Sequence, residues 1–219
     1  MSYWQIKQGD EMSIVEGAIK FMHQGFDEHK ELFSSLKHAQ DPHTLFIGCS
    51  DSRVVPSLIT QTLPGELFVV RNVANIVPRY RLNEEFLATT SAISYALFAL
   101  NVKNIVICGH SNCGGCEAIW SPEKLGKMPS VKNWLRQLDD VKKLVASEMS
   151  DSHLPSEERA WLTERMCILQ SMDNIRTFPD VEKLEKDGKL KIYGWHYIIE
   201  TGEVFSYKDG EFKLLNKGE

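Results

Sequence analysis

The chain alternates short apolar runs with longer segments in which apolar residues recur every three or four positions. Residues 44–48, 66–73 and 104–108 are apolar runs of strand length. Such runs are typical of buried strands in a parallel sheet. Residues 190–207 predict a β-hairpin, because two strand-like runs flank a Thr-Gly turn signal.

Helical spacing occupies most of the remaining chain, at residues 11–39, 56–60, 84–100, 114–120 and 130–178, with a loop at 151–155. The segment 84–100 is apolar almost all round, which predicts burial on more than one side and a subunit interface. The whole pattern predicts an α/β fold: a central, mainly parallel β-sheet with flanking helices and a C-terminal β-hairpin. We predict one domain over residues 1–219, with an N-terminal helical arm over about residues 1–40.

Composition narrows the function classes. The 219 residues are 42% hydrophobic and carry a net charge of −5, with acidic and basic residues interspersed. This mixture offers no basic patch for nucleic acid or an anionic membrane. No apolar run approaches the ~18 residues of a membrane helix, and residues 1–12 lack the apolar segment of a secretory signal. We therefore expect a cytoplasmic protein, in which clustered cysteines indicate metal rather than disulfides.

Reactive side chains follow two of the predicted strands. Cys49, Asp51 and Arg53 stand at alternate positions after the first strand, and His110 and Cys113 follow the third. Because the carboxyl ends of neighbouring parallel strands meet at one edge of a sheet, these side chains should converge. Two thiols and one imidazole suit Zn²⁺, and three protein ligands leave a fourth position open, as in catalytic zinc sites. Zinc there would lower the pKa of bound water from ~15.7 towards ~7.

Asp51 has two competing partners. It can fill the fourth zinc position, or it can pair with Arg53 and leave that position to water. A bidentate pair with arginine is geometrically demanding, so the two states should exclude each other. We therefore interpret Asp51 and Arg53 as a switch, closed when Asp51 binds zinc and open when it binds Arg53.

A closed structural zinc site is the alternative. The spacing C-x-H-x-x-C-x-x-C supplies four local ligands without Cys49: Cys108, His110, Cys113 and Cys116. Against this reading, Cys108 belongs to an apolar run, where buried free cysteine is common. A redox pair of Cys113 and Cys116 would leave His110 and Cys49 without a role.

Three further residues are not assigned to the zinc site. His196 lies in a strand pattern and is predicted to be structural, and Cys167 lies on an apolar helix face and is predicted to be core. Arg71 falls inside a strand predicted to be buried. A buried guanidinium needs partners, so Arg71 should join a polar network or bind an anion.

The chain resembles the β-class carbonic anhydrases. CSDSR at residues 49–53 is similar to the family's C-x-D-x-R motif, CGHSNCGG at 108–115 to its H-x-x-C motif, and PGELFVVRNVAN at 64–75 to the strand between them. The resemblance implies zinc on Cys49, His110 and Cys113, one ion per subunit. It also implies reversible hydration of carbon dioxide to bicarbonate and a proton, with Asp51 and Arg53 as the gating and proton-handling dyad.

The resemblance also implies a substrate pocket and a regulatory subtype. Gln40, Phe68, Val73 and Tyr95 match pocket positions of plant-type members, part of whose pocket comes from the neighbouring subunit, in a homodimer or a tetramer of dimers. Phe46 stands where some bacterial members carry the tryptophan of an inhibitory bicarbonate site. This favours a plant-like site, open to water near neutral pH.

Two other functions remain open from the sequence. An enzyme of the same fold could hydrolyse carbonyl sulfide or carbon disulfide with the same catalytic residues. A zinc-stabilised binding or sensor module without turnover would instead hold zinc with four protein ligands and no exchangeable water.

Overall fold

The structure, a computed structural model, describes residues 13–81, 87–152 and 158–216. The chain divides into two compact units, residues 1–40 and 41–219. The described part of the first unit is helical, as predicted, but it is divided into segments: α1 (Ile14–Lys20), a π-helical turn (Phe21–Gly25), α2 (Phe26–Glu28) and α3 (Lys30–Ser35). Ser13 and Glu16 form a capping box that fixes the start of α1.

A six-stranded sheet forms the centre of the second unit. Its strands are β1 (Thr44–Cys49), β2 (Leu67–Asn72), β3 (Asn104–His110), β4 (Lys191–Tyr197), β5 (Val204–Lys208) and β6 (Glu211–Leu214). The order is β2-β1-β3-β4-β5-β6. The first four are parallel and the last two antiparallel. The predicted α/β fold with a mainly parallel sheet and a C-terminal hairpin is therefore confirmed.

The helices of the second unit lie in the connections between its parallel strands. They are α4 (Pro56–Thr60), α5 (Leu87–Phe98), α6 (Gly114–Ala118), α7 (Pro129–Leu135), α8 (Asp139–Ser152), α9 (Glu158–Arg176) and α10 (Val181–Lys186). The loop predicted at 151–155 begins too early, because α8 continues through Ser152, and residues 153–157 lie outside the described residues. Residues 84–86 of the predicted helix 84–100 also lie outside the described residues. Across the described ranges, none of the helices has the length and apolarity needed to cross a bilayer.

One face of the sheet carries the main core. Side chains of β1 and β3 pack against α5 and α9: Leu45, Ile47, Ile105, Ile107, Ile93, Ala96, Ile168 and Ile175. A Cβ on Gly109 would stand 2.8 Å from Ile168, so glycine lets α9 lie directly on β3. The opposite face holds a separate cluster of Phe46, Val106 and Cys108, against which Tyr193 and Trp195 pack.

Two burial predictions are wrong for this chain alone. β2 was expected to be buried, yet Val70 is its only residue classed as buried and Val69 is 44% exposed, because β2 is an edge strand with β1 on one side. The helix 84–100 was expected to be buried on more than one side. Instead, Tyr95 and Phe98 of α5 are both half exposed, while Ile93 is buried.

Candidate metal centre

The fold brings the ends of β1 and β3 to the same edge of the sheet. The two strands pair in parallel, with Gly48 opposite Cys108. Cys49 ends β1, His110 ends β3, and Cys113 is the N-cap of α6. Their ligand atoms all lie within 4.8 Å of one another, and the two sulfur atoms are 3.9 Å apart. Three side chains from two strand ends thus converge on one point.

The donor set fits a zinc ion. His110 is fully buried, and its Nδ1 donates to the Ser111 carbonyl at 2.9 Å. This bond leaves Nε2 with its lone pair, and within the described chain that buried atom has no hydrogen-bond partner. A metal-binding histidine characteristically donates its other nitrogen to a carbonyl in this way. A soft cation beside two thiols would satisfy the orphaned nitrogen.

Burial and mutual hydrogen bonds keep the thiols protonated without metal. The hydrogen bond with Cys113, together with burial, raises the pKa of Cys49 to about 12. A hydrogen bond with Cys116 raises the pKa of Cys113 above its ordinary range. Burial lowers the pKa of His110, but the neighbouring Cys49 and the bond to the Ser111 carbonyl outweigh this effect, so the net shift of the pKa is upward. A cation held by Cys49, His110 and Cys113 would displace the thiol protons.

Asp51 lies beside the cluster and is turned towards Arg53. The Arg53 Nε donates to Asp51 Oδ1 at 2.9 Å and its Nη2 donates to Oδ2 at 2.8 Å. These bonds hold the pKa of Asp51 well below its usual range. The same Nη2 donates to the Asn112 carbonyl at 3.1 Å. This bond connects Arg53 to the loop between His110 and Cys113. Asp51 Oδ2 is 3.9 Å from His110 Nε2.

Arg71 supports the loop that carries Asp51. Its Nε donates to the Cys49 carbonyl at 3.0 Å and its Nη2 to the Asp51 carbonyl at 2.6 Å. The expectation of a buried Arg71 is wrong, because the residue is exposed on the edge strand. The predicted polar network is present, and it consists of the Cys49 and Asp51 backbone carbonyls, beside the candidate metal site.

A buried carboxylate that the sequence analysis missed lies behind Cys113. Glu164 is 2% exposed, and its Oε1 accepts the Cys113 backbone N–H at 3.0 Å. Its Oε2 accepts from Nε2 of His196 at 2.9 Å. A signal was available in the sequence: Glu164 precedes Cys167 and Ile168 by three and four positions, which places it on the buried face of α9. His196, predicted to be structural, is fully buried with this partner.

Of the predicted pocket residues, Val73 lies near the candidate metal site, whereas Phe68 and Tyr95 lie away from it. Val73 follows β2 and packs against the apolar cluster that contains Cys49 and Cys113. Phe68 and Tyr95 contact each other, with ring centroids 5.9 Å apart. Phe68 pairs with Leu45, four residues before Cys49, which is about 13 Å along the strand. Within one chain these two rings therefore do not reach the cluster.

Gln40, the remaining pocket residue, belongs to the first compact unit, residues 1–40. Its contribution to the pocket stays a prediction.

The closed four-ligand zinc site does not form. Cys108 packs with Phe46 and Val106 on the other face of the sheet, and its thiol donates to the Gly109 carbonyl. In residues 13–81, 87–152 and 158–216, the metal-type cluster that forms is Cys49, His110 and Cys113. The five cysteines are all unpaired and buried, and Cys167 lies in the core as predicted.

Comparisons with known proteins identify the family of the chain. Residues 44–204 match the family model described as carbonic anhydrase. The carbonic anhydrase of Helicobacter pylori strain J99 is 41% identical over 199 residues, which cover 90% of each chain. That of Pseudomonas aeruginosa is 39% identical over 193 residues, covering 87% of this chain and 84% of its own.

Solved structures give the same result. The β-carbonic anhydrase CcaA superposes with a TM-score of 0.86 at 38% identity, over 94% of this chain and 92% of its own. A structure from work on two tetrameric β-carbonic anhydrases of Sordaria macrospora gives 0.76 at 29% identity, over 91% and 96%. The chain therefore belongs to the β-class carbonic anhydrases. It is an enzyme, and its reaction is the hydration of carbon dioxide.

Proposed function

We propose that the chain catalyses the reversible hydration of carbon dioxide with one zinc ion held by Cys49, His110 and Cys113. The observation that carries this proposal is the convergence of three buried ligand atoms within 4.8 Å, one of them the unpartnered Nε2 of His110. Three protein ligands correspond to the open coordination of catalytic zinc. Zinc held by these three residues would supply the nucleophile, because it would lower the pKa of a bound water to about 7.

The chain's own residues then control access to the reacting position. Arg53 holds both carboxylate oxygens of Asp51, which keeps Asp51 away from the fourth ligand position. Val73 supplies an apolar wall beside the cluster, which suits a small substrate without charge. The reaction consumes one water and releases bicarbonate and one proton.

The same contacts support the plant-like form, in which the site is open to water near neutral pH. The bidentate Asp51–Arg53 pair is the open state of the switch, and Phe46 replaces the tryptophan of the regulated bacterial members. A crystal structure of the zinc-loaded protein near pH 7 tests this directly. Asp51 bonded to zinc in that crystal would contradict the proposal.

The enzyme is further proposed to be a cytoplasmic homo-oligomer, a dimer or a tetramer of dimers. The tetrameric Sordaria macrospora relatives support an assembly, and so do the half-exposed Tyr95 and Phe98 of α5. In such an assembly Gln40, Phe68 and Tyr95 would complete the pocket of a neighbouring subunit. The expected partner is then a small molecule, carbon dioxide or bicarbonate, rather than a macromolecule.

Metal analysis combined with stopped-flow hydration of carbon dioxide tests the function. The zinc-loaded protein is assayed with a pH indicator between about pH 6.5 and 9, near the pKa of zinc-bound water. Rapid turnover already present near pH 7 is expected from the open site. Turnover that appears only at the alkaline end would indicate a site closed by Asp51. A zinc-loaded protein without turnover would contradict the proposed function, and carbonyl sulfide would be the next substrate to test.

A further inference from the structure

The backbone of one metal ligand is bound by a carboxylate inside the protein. The Cys113 N–H donates to Glu164 Oε1 at 3.0 Å, and Glu164 is 2% exposed. Burying a carboxylate is costly unless each oxygen gains a partner. Glu164 meets that condition by giving a separate oxygen to each of two donors, Cys113 on one side and His196 on the other.

His196 is enclosed by rings and by Glu164. The ring centroids of Trp161 and His196 are 5.3 Å apart in an edge-to-face arrangement, and those of Phe212 and His196 are 6.4 Å apart. The Nδ1 atom has no hydrogen-bond partner among the described residues. The Nε2 proton is the one that finds an acceptor, because a proton on Nδ1 would be a buried donor without one.

We propose that Glu164 and His196 are positioning residues for the zinc ligand Cys113. The hydrogen-bonded chain from the Cys113 amide through Glu164 to His196 connects the ligand loop to α9 and to β4. It fixes the backbone from which the Cys113 sulfur projects. This inference rests on the proposed zinc site, and neither residue touches the reacting atoms.

A positioning role goes beyond ordinary core packing for two reasons. The hydrogen bond acts on the amide of a ligand, so any shift of Glu164 is transmitted to the sulfur. The remaining buried residues of α9 that pack into the core are apolar, small or hydroxyl-bearing: Thr163, Cys167, Ile168, Ser171, Met172 and Ile175. Changing the outer partners of metal ligands typically costs about 10–100-fold in metal affinity or activity.

The test compares two substitutions at Glu164 with a neighbouring control. Glu164→Gln keeps an acceptor for the Cys113 amide but removes the charge, and Glu164→Leu removes both hydrogen bonds at similar volume. The control, Thr163→Val, deletes a buried hydroxyl on the same helix that accepts from Trp120 and donates to the Arg159 carbonyl. Each full-length variant is measured for zinc affinity by competition with a chromogenic chelator, and for the absorption spectrum of its cobalt-substituted form.

We expect the zinc dissociation constant to rise about tenfold in Glu164→Gln and about 10–100-fold in Glu164→Leu, with altered cobalt bands in both. Thr163→Val should unfold at a lower temperature while its zinc affinity and cobalt spectrum stay native. Equal zinc affinity and spectra in native protein and Glu164→Gln would overturn the proposal, whether or not Glu164→Leu folds. So would an equal loss of zinc affinity in Thr163→Val.

His196 is tested by rescue. His196→Leu leaves Glu164 Oε2 without a donor, whereas His196→Gln retains an N–H group. Zinc affinity should fall about tenfold in the leucine variant and recover most of that loss in the glutamine variant. Identical behaviour of the two would show that the imidazole contributes packing alone. Native protein that binds no zinc would instead overturn the proposed function, which keeps the two failures distinct.

Discussion

Replacing Arg53 with methionine removes the group that holds Asp51 away from the metal position. Methionine keeps a long apolar stem but none of the guanidinium donors that reach Asp51 Oδ1, Asp51 Oδ2 and the Asn112 carbonyl. Only the backbone N–H of residue 53 still donates to Asp51 Oδ1, at 3.0 Å. The carboxylate already lies 3.9 Å from His110 Nε2. We therefore expect Asp51 to turn towards the zinc and compete with water for the fourth position.

The size of the effect follows from the exposure of the pair. A hydrogen bond to a charged group contributes about 1.5–3 kcal/mol when protected. The Arg53 and Asp51 side chains are 46% and 19% exposed, so solvent screening reduces the contribution of the whole pair to about 1 kcal/mol. Since ~1.4 kcal/mol corresponds to a factor of ten, kcat/KM near pH 7 should fall about fivefold.

Stopped-flow carbon dioxide hydration measures this change, normalised to zinc content in the same sample. Arg176→Met is the matched control, because Arg176 also makes a bidentate pair, with Glu185 at 2.8 and 2.9 Å, between α9 and α10. The control should lose stability but keep native kcat/KM per zinc. If fully zinc-loaded Arg53→Met stayed within about twofold of native at pH 7, the gating role of Arg53 would be refuted.

Three further predictions concern the metal, the packing and the loop. Removing zinc with a chelator should abolish activity. Relative to protein in free zinc about a thousandfold above the dissociation constant, it should also lower the free energy of unfolding by about 4 kcal/mol. Activity assays and thermal unfolding, before and after zinc is restored, measure these two effects. Gly109→Ala places a methyl group 2.8 Å from Ile168 and should lower the free energy of unfolding in urea by about 1–3 kcal/mol. The control Gly126→Ala, whose new methyl group has its nearest contact at 3.5 Å, should leave that free energy unchanged. Arg71→Lys cannot reach both carbonyls and should cost about 1 kcal/mol, seen in urea unfolding together with lower activity; native stability in this variant would contradict the supporting role.

The strands could be predicted because each coincides with a short apolar run of strand length. The run at 104–108 was extended in the structure to His110, and the hairpin was placed correctly because its turn signal lies between two such runs. β6 was missed although Asp209-Gly210, with both residues at positive φ, joins it to β5 in a two-residue turn. Asp-Gly is among the strongest hairpin signals, so the sequence contained the information needed to predict β6.

The candidate site was predictable where its residues lie at or shortly after the end of an apolar run. Cys49 and His110 follow apolar runs, and the sequence therefore indicated them. Glu164 was not found, because a carboxylate in a charged helix is usually solvated, and its contact with Cys113 spans a long stretch of sequence. The burial of Arg71 was overestimated because a sequence run does not say whether a strand lies at the edge of a sheet.

The placement of Cys108 on the far face of the sheet has a consequence for folding. In the unfolded chain, the local ligands at positions 108–116 close a loop of eight residues, whereas joining Cys49 to His110 closes one of 61. Loop-closure entropy favours the local set by about 2 kcal/mol. Zinc that meets the chain before β1 and β3 pair is therefore expected to bind the local set first. Folding must then release zinc from Cys108 and Cys116 and transfer it to Cys49, so zinc supplied early should slow the formation of active enzyme.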